Sequence, residues 1–246
     1  MQNIPADDPL AVAIVTAIQQ GDAASLARQL EQHPYLATSR IVDSRGTSRT
    51  LLHVVADWPG HVPNGAQMVA TLAAAGADMS APAMHTCPES TPETPLHWAA
   101  SSDDVRVLDA LLDHGADIEA PGAIFSGGTA MSDAVVFSQW QAARRLLERG
   151  ATTTLWQAAA LGLLERVQQF CTATPAPDDT EITNALWHAC RGGQLEVSDY
   201  LVTRGASLNW VGWNHKTPLD AAVDSGSVNL VSWLRAHGAT ANHGRA

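Results

Sequence analysis

Apolar residues recur at helical spacing through most of the chain, in short runs that end at a glycine. In one run Val197, Tyr200 and Leu201 lie three and four positions apart, which places them on one face of a helix. Gly205-Ala206 closes this run, and glycine readily takes the left-handed conformation that ends a helix. The pattern therefore predicts many short amphipathic helices that pack against one another.

The helical pattern repeats along the chain. The most complete copy begins with Thr94-Pro95-Leu96-His97 and ends with Gly115-Ala116-Asp117. Threonine caps a helix and proline fits its first turn, so each copy predicts a short first helix, a glycine turn and a second helix. Asn184 and Thr217, which start two successive copies, are 33 positions apart. The further copies begin at Thr50, Thr129, Asn184 and Thr217.

This pattern resembles the ankyrin repeat family, whose signature is TPLHxA followed by a GAD-type ending. The resemblance implies an all-α repeat solenoid: an ankyrin-type stack of about seven helix–turn–helix units with short β-hairpin fingers and a concave face. It also implies that His53 and His97 are hydrogen-bonding structural residues. We expect a single ankyrin-repeat domain over residues 1–246. Its units are predicted at 10–34, 47–78, 91–117, 126–151, 153–171, 181–207 and 214–240.

Several departures from a regular repeat predict an irregular stack. Extra residues around Trp58 separate the helices of the second unit, and a long connection precedes Thr94. Gly150 is followed almost directly by Thr153, so the fourth finger is predicted to be missing or severely shortened. Trp156 and Trp187 stand where the repeat histidine is expected. Such irregularity favours cavities along the stack.

Charge and composition narrow the function classes. The formal net charge is −11, with 25 acidic against 14 basic residues, and Lys216 is the only lysine. Binding to a phosphate backbone needs a basic face, so we expect no nucleic-acid partner. No run of about 18 apolar residues exists, and we expect no membrane span.

Cysteine usage and the first residues predict a cytoplasmic protein. The chain has three cysteines at irregular spacing and no CxxC pair, which predicts free thiols rather than disulfides or a zinc site. The first residues carry acids and no basic region, unlike a secretory signal. No motif for a cofactor is present, and we expect no cofactor and no metal.

A stripe along the leading helices supplies the candidate binding residues. The residue after the repeat histidine and the residue one turn later are predicted to point to the concave face. Aromatic side chains beside polar groups are typical of a small-molecule pocket and equally of a protein-binding hot spot. The predicted stripe contains Trp58, Trp98, Asp133, Phe137, Gln157, His188 and Arg191.

Two finger segments add further candidates. Arg40, Arg45 and Arg49 fall within ten residues of an acidic chain, and arginine grips carboxylates and phosphates through paired hydrogen bonds. They form either an anion-binding lip or a solvated finger whose arginines pair with local acids. Trp210 and Trp213 lie near a turn, where they either contact a partner or cover the next finger.

Two stripe residues are candidates for catalysis. Asp133 and His188 would form an acid–base pair if curvature brought them together. They lie two units apart with Gln157 between them, so direct hydrogen bonding is not expected, although a bound substrate would bridge them. No nucleophile elbow, phosphate-binding loop, HExxH or dinucleotide fingerprint occurs in the chain.

Two functions remain open from the sequence. We favour a non-catalytic binding module that recognises a protein partner through its concave face and fingers. The alternative is a small-molecule-binding protein or unusual enzyme with a Trp-lined concave pocket for an anionic or aromatic ligand. Within that alternative, binding is favoured over catalysis.

Overall fold

The computed structural model describes residues 2–84 and 91–242. Its chain divides into two compact units, Met1–Ala151 and Thr152–Ala246. The described residues contain seven consecutive helix pairs and very little strand, which confirms the predicted all-α ankyrin-type repeat stack. The prediction of a single domain over 1–246 stays a prediction.

The first unit contains four helix pairs. The leading helices are short and pack side by side, α3 against α5 and α5 against α7. The trailing helices form a second row, in which α4 packs on α6 and α6 on α8. The pairs are α1 (Pro9–Gln19) with α2 (Ala23–Gln32), α3 (Leu51–Ala56) with α4 (Gly65–Ala74), α5 (Pro95–Ser101) with α6 (Val105–Asp113), and α7 (Ala130–Val136) with α8 (Trp140–Glu148).

The second unit contains three helix pairs built on the same plan. Its leading helix α11 packs against both α9 and α13. A 3-10 turn at Trp213–His215 precedes the last pair. The pairs are α9 (Leu155–Ala160) with α10 (Leu164–Thr172), α11 (Asp179–Arg191) with α12 (Leu195–Thr203), and α13 (Pro218–Asp224) with α14 (Val228–Ala236).

Alanine makes the close packing of the leading helices possible. Ala99 and Ala100 of α5 and Ala134 of α7 are fully buried, and their small side chains let neighbouring helix backbones approach. The trailing helices supply the larger core residues, such as Leu108 and Leu111 of α6. Hydrophobic burial is therefore shared along each unit rather than gathered in one centre, as expected for a repeat fold.

The two repeat histidines are structural. The Nδ1 atoms of His53 and His97 lie 3.2 and 3.1 Å from the backbone nitrogens of Thr50 and Thr94, the helix caps. Their Nε2 atoms contact carbonyl oxygens of the following finger, Glu93 at 3.0 Å and Gly128 at 3.3 Å. Each ring therefore joins a helix start to the next repeat, in agreement with the role that the resemblance implied.

The two tryptophans at histidine positions differ from each other. The Nε1 of Trp187 donates to the carbonyl of Lys216 at 2.9 Å, so its indole supplies the bond to the following finger. In α9 the capping role belongs to Gln157, whose Oε1 accepts from the Thr154 nitrogen at 2.8 Å. The prediction that Trp156 takes the place of the histidine is therefore wrong for the cap: the helix begins after Thr154, which puts Gln157 at the third helical position.

The fingers have little regular strand. β2 (Arg40–Val42) and β3 (Ser48–Thr50) form an antiparallel hairpin, and β1 (Asn3–Pro5) adds to β2 in parallel. Another 3-10 turn, Pro34–Thr38, leads into this hairpin. Residues 149–154 alone separate α8 from α9, whereas residues 114–129 separate α6 from α7. The fourth finger is therefore shortened, as predicted, and residues 173–178 make an equally short link before α11.

Candidate functional site

Most stripe residues that directly follow the repeat-histidine position are buried. Asp133 is 1% exposed, and Gln157 and His188 are also buried. Adjacent leading helices pack against each other within each unit, and they cover the position that follows the repeat histidine. Trp98 is half-buried. In the first unit, the exposed side chains of the predicted stripe are therefore Trp58 and Phe137, which lie one turn after the histidine-following position.

Trp58 projects from the loop between α3 and α4. Its side chain is 80% exposed. Neighbouring residues hold the loop in place: the backbone nitrogen of His61 donates to Asp104 at 2.6 Å, and Asn64 donates to the carbonyl of Gly21 at 2.9 Å. The indole is thus presented from an anchored segment.

Trp98 lies between a structural histidine and an acid. Its ring meets His53 edge-on, with the ring centroids 4.9 Å apart. Burial raises the pKa of the Glu93 carboxyl, and a hydrogen bond from the Trp98 side chain partly offsets this rise. Glu93 was not among the predicted site residues, because it precedes the helix and lies outside the predicted stripe.

Asp133 holds a buried carboxyl with an unsatisfied oxygen. Its Oδ1 accepts from the Ile124 nitrogen at 3.2 Å, while the buried Oδ2 has no hydrogen-bond partner among the described residues. Burial, and then the nearby charge of Glu93, raises the pKa of Asp133 to about 7. Glu93 and Asp133 therefore form an acidic pair that favours holding a proton near neutral pH.

Two exposed phenylalanines border the acidic pair. Phe137 follows Asp133 by one turn of α7 and is 40% exposed, whereas Phe125, in the finger, is 71% exposed. Their ring centroids are 5.8 Å apart. Phe125 was missed from the sequence because the finger has no helical pattern. We name Glu93, Trp98, Phe125, Asp133 and Phe137 the acidic–aromatic site.

The three finger arginines have different environments. Arg40 is buried, and its guanidinium donates to the carbonyl of Ser48 at 3.3 Å and that of Pro82 at 2.6 Å; burial lowers its pKa. Arg49 pairs with Asp57 at 2.5 Å. Arg45 is exposed at the hairpin turn. Arg49 thus pairs with a local acid and Arg40 with backbone carbonyls, while anion binding by this segment stays a prediction.

In the second unit, His188 is enclosed by two indoles. Its ring centroid lies 4.6 Å from that of Trp156 and 5.0 Å from that of Trp187. Burial, and then the charge of Arg191, lowers the pKa of His188 to about 3. The buried Nδ1 of His188 has no hydrogen-bond partner among the described residues. Because the imidazole is neutral, it does not supply a positive charge to this group.

Arg191 lies one turn after Trp187 on α11. Its Cζ atom is 5.8 Å from the centroid of the Trp187 ring, within the range of a cation–π contact. Burial lowers the pKa of Arg191, and the charge of Asp224 opposes that effect. Trp156, Trp187, His188 and Arg191 form what we name the indole–histidine group.

The tryptophans of the last finger are only partly open. Trp213 is 59% exposed and donates from Nε1 to the side chain of Asn184 at 3.1 Å. Trp210 packs on the core of the second unit, with its ring over Gly212. Trp213 thus keeps an open face, whereas Trp210 covers its own finger.

The predicted residues fall into two groups. Trp58, Trp98, Asp133 and Phe137 belong to the first compact unit, and Gln157, His188 and Arg191 belong to the second. The acid–base pair of Asp133 and His188 stays a prediction. Each carries an unusual protonation preference, but in opposite senses: the carboxyl retains its proton to higher pH and the imidazole loses its proton at lower pH.

Other chemistry has little support in the described residues. Across 2–84 and 91–242 no cluster of three or more His, Cys, Asp or Glu side chains is arranged to hold a metal ion. Cys171 and Cys190 are buried free thiols, and Cys87 lies outside the described residues. Over the same ranges, no helix has both the length and the apolar character of a membrane span.

Comparisons with known proteins agree with the repeat architecture. A family model for ankyrin repeats (3 copies) matches residues 52–154 and 155–244. An ankyrin repeat and KH domain-containing protein of Caenorhabditis briggsae is 29% identical over 184 residues, which cover 72% of this chain and 7% of that protein. The chain thus spans a small part of this relative's length. Ankyrin repeats are generally protein-interaction modules. On the extent of the family match, this chain belongs to the ankyrin repeat family.

Proposed function

We propose that the chain is a non-catalytic protein-interaction module that binds a partner through its leading helices and fingers, the surface that the resemblance implies to be concave. The observation that carries this proposal is the exposure of large aromatic side chains on the first unit. Trp58, Phe125 and Phe137 are 80%, 71% and 40% exposed. Exposed large aromatic side chains are typical of interaction sites, and Phe125 and Phe137 lie against each other.

The setting of these side chains supports the same proposal. The Trp58 loop is anchored through Asp104 and Gly21, and the Phe125 finger is tied to Asp133 through Ile124. Binding to a preformed surface loses less conformational entropy than binding to a mobile one. Arg45 and Trp213 are further proposed contacts, because both expose side chains at finger turns.

The proposal is tested with random 12-residue peptides displayed on phage and selected on the full chain. We expect selected peptides to lose affinity by about tenfold or more in the Phe125→Ala and Phe137→Ala variants, as hot-spot truncations do. Tyr35→Ala is the matched control, because Tyr35 is an exposed aromatic of the same unit, 42% exposed. Selected peptides that bind all three variants equally would show that this face is not the interaction surface.

We also propose a cytoplasmic location, supported by the free thiols of Cys171 and Cys190, since thiols persist in reducing compartments. Fluorescence of a tagged chain, compared with markers of the cytosol and of secretory compartments, tests it. Accumulation in an oxidising compartment would contradict this location.

A second candidate function is the binding of a small aromatic anion by the indole–histidine group. The specific observation is the unpartnered Nδ1 of His188, buried between two indoles. Arg191 supplies a positive charge to an acidic ligand, and an aromatic ring would stack on Trp156. This candidate differs from the tryptophan-lined pocket predicted from Trp58 and Trp98, because its indoles belong to Trp156 and Trp187.

Benzoate and phenyl phosphate are suitable probes for this second candidate. We expect either compound to raise the unfolding temperature of the chain, and we expect Trp156→Ala to abolish that rise. Cyclohexanecarboxylate and inorganic phosphate are the non-aromatic controls. Stabilisation by phosphate alone, or none by any probe at millimolar concentration, would count against the site.

A further inference from the structure

The acidic pair of the first unit forms no salt bridge with a basic side chain of the described residues. In the described part of the chain, the ion pairs formed by side chains do not include Glu93 or Asp133. Other acids of this unit are matched, as Asp109 is by Arg145 and Arg149. Two neighbouring carboxyls without a cation leave a local excess of negative charge.

A second observation at the same place is the unsatisfied Oδ2 of Asp133. The residue is 1% exposed and this oxygen has no hydrogen-bond partner among the described residues. An unpaired buried acceptor is costly, and native structures rarely keep one without a functional reason. Glu93 is half-buried and therefore accessible to a ligand. Asp133 is buried and adds negative charge without touching the ligand.

The aromatic residues beside Glu93 and Asp133 favour a guanidinium over an ammonium or a metal ion as the bound cation. Trp98 contacts Glu93, and Phe125 and Phe137 lie against each other next to Asp133. A guanidinium stacks on aromatic rings and donates paired hydrogen bonds to carboxylates, whereas an ammonium is more strongly hydrated. A metal ion is disfavoured because the described residues offer no third ligand of the usual type here.

We propose that the acidic–aromatic site binds an arginine side chain of a partner protein, with its guanidinium on Glu93 and Trp98 and an adjacent apolar residue on Phe125 and Phe137. This inference rests on the proposed function and adds the chemistry of the partner. The net charge of −11 gives the chain the sign that attracts a basic segment.

The test uses the peptides selected from the phage library, synthesised in two forms. One form carries the arginine and the other carries citrulline, which has nearly the same shape without the charge. We expect citrulline to weaken binding to the unaltered chain by about tenfold or more, the range for a charge-assisted hydrogen bond. This comparison requires no substitution in the protein and so does not depend on the folding of a variant.

Variants then assign the charge to its partner. In Glu93→Gln the arginine and citrulline forms should bind equally, whereas Glu196→Gln, at an exposed acid of the second unit, should keep the difference. Equal binding of both forms to the unaltered chain, or an undiminished difference in Glu93→Gln, would overturn the arginine inference. If the arginine inference fails but Phe125→Ala still weakens peptide binding, the proposed function survives. If Phe125→Ala leaves binding unchanged, the proposed function fails together with the arginine inference.

A pH series provides an independent reading. With peptides whose only ionisable side chain is the arginine, affinity should weaken as pH falls from 8 to 6, because Glu93 and Asp133 together take up a proton and lose charge. The neighbouring titratable groups, His53 and His97, have pKa values lowered by burial, and the charged groups that act on His53 are Arg40 and Arg49. Asp133→Asn should remove most of the pH dependence; if it leaves the pH dependence unchanged, Asp133 does not take part.

Discussion

At the scale of single residues, burial rather than position in the motif determines the chemistry of the polar side chains. Asp133 and His188 occupy equivalent predicted positions, yet the pKa of the carboxyl is raised to about 7 and that of the imidazole is lowered to about 3. In both cases burial disfavours the charged form. Each side chain is neutral over a wider pH range than in water, which makes both sensitive to a nearby charge.

The first prediction concerns the pH dependence of stability at Asp133. The unfolded chain releases this proton near pH 3.8, the ordinary pKa of an aspartate, whereas the folded chain holds it to about pH 7. Between these values the folded state binds more protons, so the contribution of Asp133 to stability falls as pH rises. As pH rises from about 4 to about 7, the free energy of unfolding of Asp133→Asn should increase relative to that of the unaltered chain, by up to a few kcal/mol. Above about pH 7 the difference should stay constant.

Urea unfolding at pH 4.5, 6 and 7.5 measures this difference. The comparison between the two proteins removes the opposite contribution of the buried histidines, which are common to both. A stability difference that is constant across the three pH values would show that Asp133 does not titrate in this window.

The second prediction concerns the double role of His53. His53→Ala removes the cap at Thr50 and leaves the Glu93 carbonyl without its partner, and we expect a loss of about 2–4 kcal/mol in the free energy of unfolding. His53→Gln should lose less, because Gln157 performs the capping role in α9. Chemical denaturation of both variants at pH 7 tests this; an equal loss would mean that the cap contributes little.

At the scale of elements, close approach between leading helices sets the tolerance to substitution. Gly192 ends α11, and a Cβ atom built there would lie 2.0 Å from the carbonyl oxygen of Ala160, the last residue of α9. This glycine is required for space, since its φ of −81° suits any residue. Gly205, with a φ of +97° and nothing within 4 Å of its Cβ position, is required for conformation alone.

These two glycines give a matched prediction. We expect Gly192→Ala to lower the free energy of unfolding by about 2–3 kcal/mol, because the α9 and α11 backbones must separate. Gly205→Ala should cost about 1 kcal/mol, the usual cost of a left-handed residue with a side chain. Denaturant titration of both variants makes the comparison, and a larger loss for Gly205→Ala would contradict the close approach of the two helices.

Element lengths show what a repeat signature does and does not predict. The start of α5 and its cap were predicted from Thr94-Pro95-Leu96-His97, because both features depend only on neighbouring residues. In α9 the N-cap is Thr154, so the capping partner is Gln157 rather than Trp156. The sequence alone does not decide this, because three successive threonines, Thr152, Thr153 and Thr154, could each cap the helix.

At the scale of the whole molecule, the acidic charge predicts how a basic partner associates. For an arginine-containing peptide selected on the chain, we expect the association rate to fall several-fold between about 20 and 300 mM salt, because screening weakens long-range attraction. Surface plasmon resonance at several salt concentrations measures the two rates, and the citrulline form is the control. A salt effect confined to dissociation would indicate short-range pairing without electrostatic steering.

The sequence by itself determined the repeat, its helix pairs and the shortened fourth finger. These follow from local spacing, capping and glycine placement, which a chain carries wherever it folds. Tertiary structure alone decided which polar residues are buried and which meet. Glu93 and Asp133 are 40 positions apart, and Phe125 belongs to a finger without periodicity; only the packing of α5 against α7 brings their segments into one site. Burial depends on neighbours distant in the chain, and no local pattern contains them.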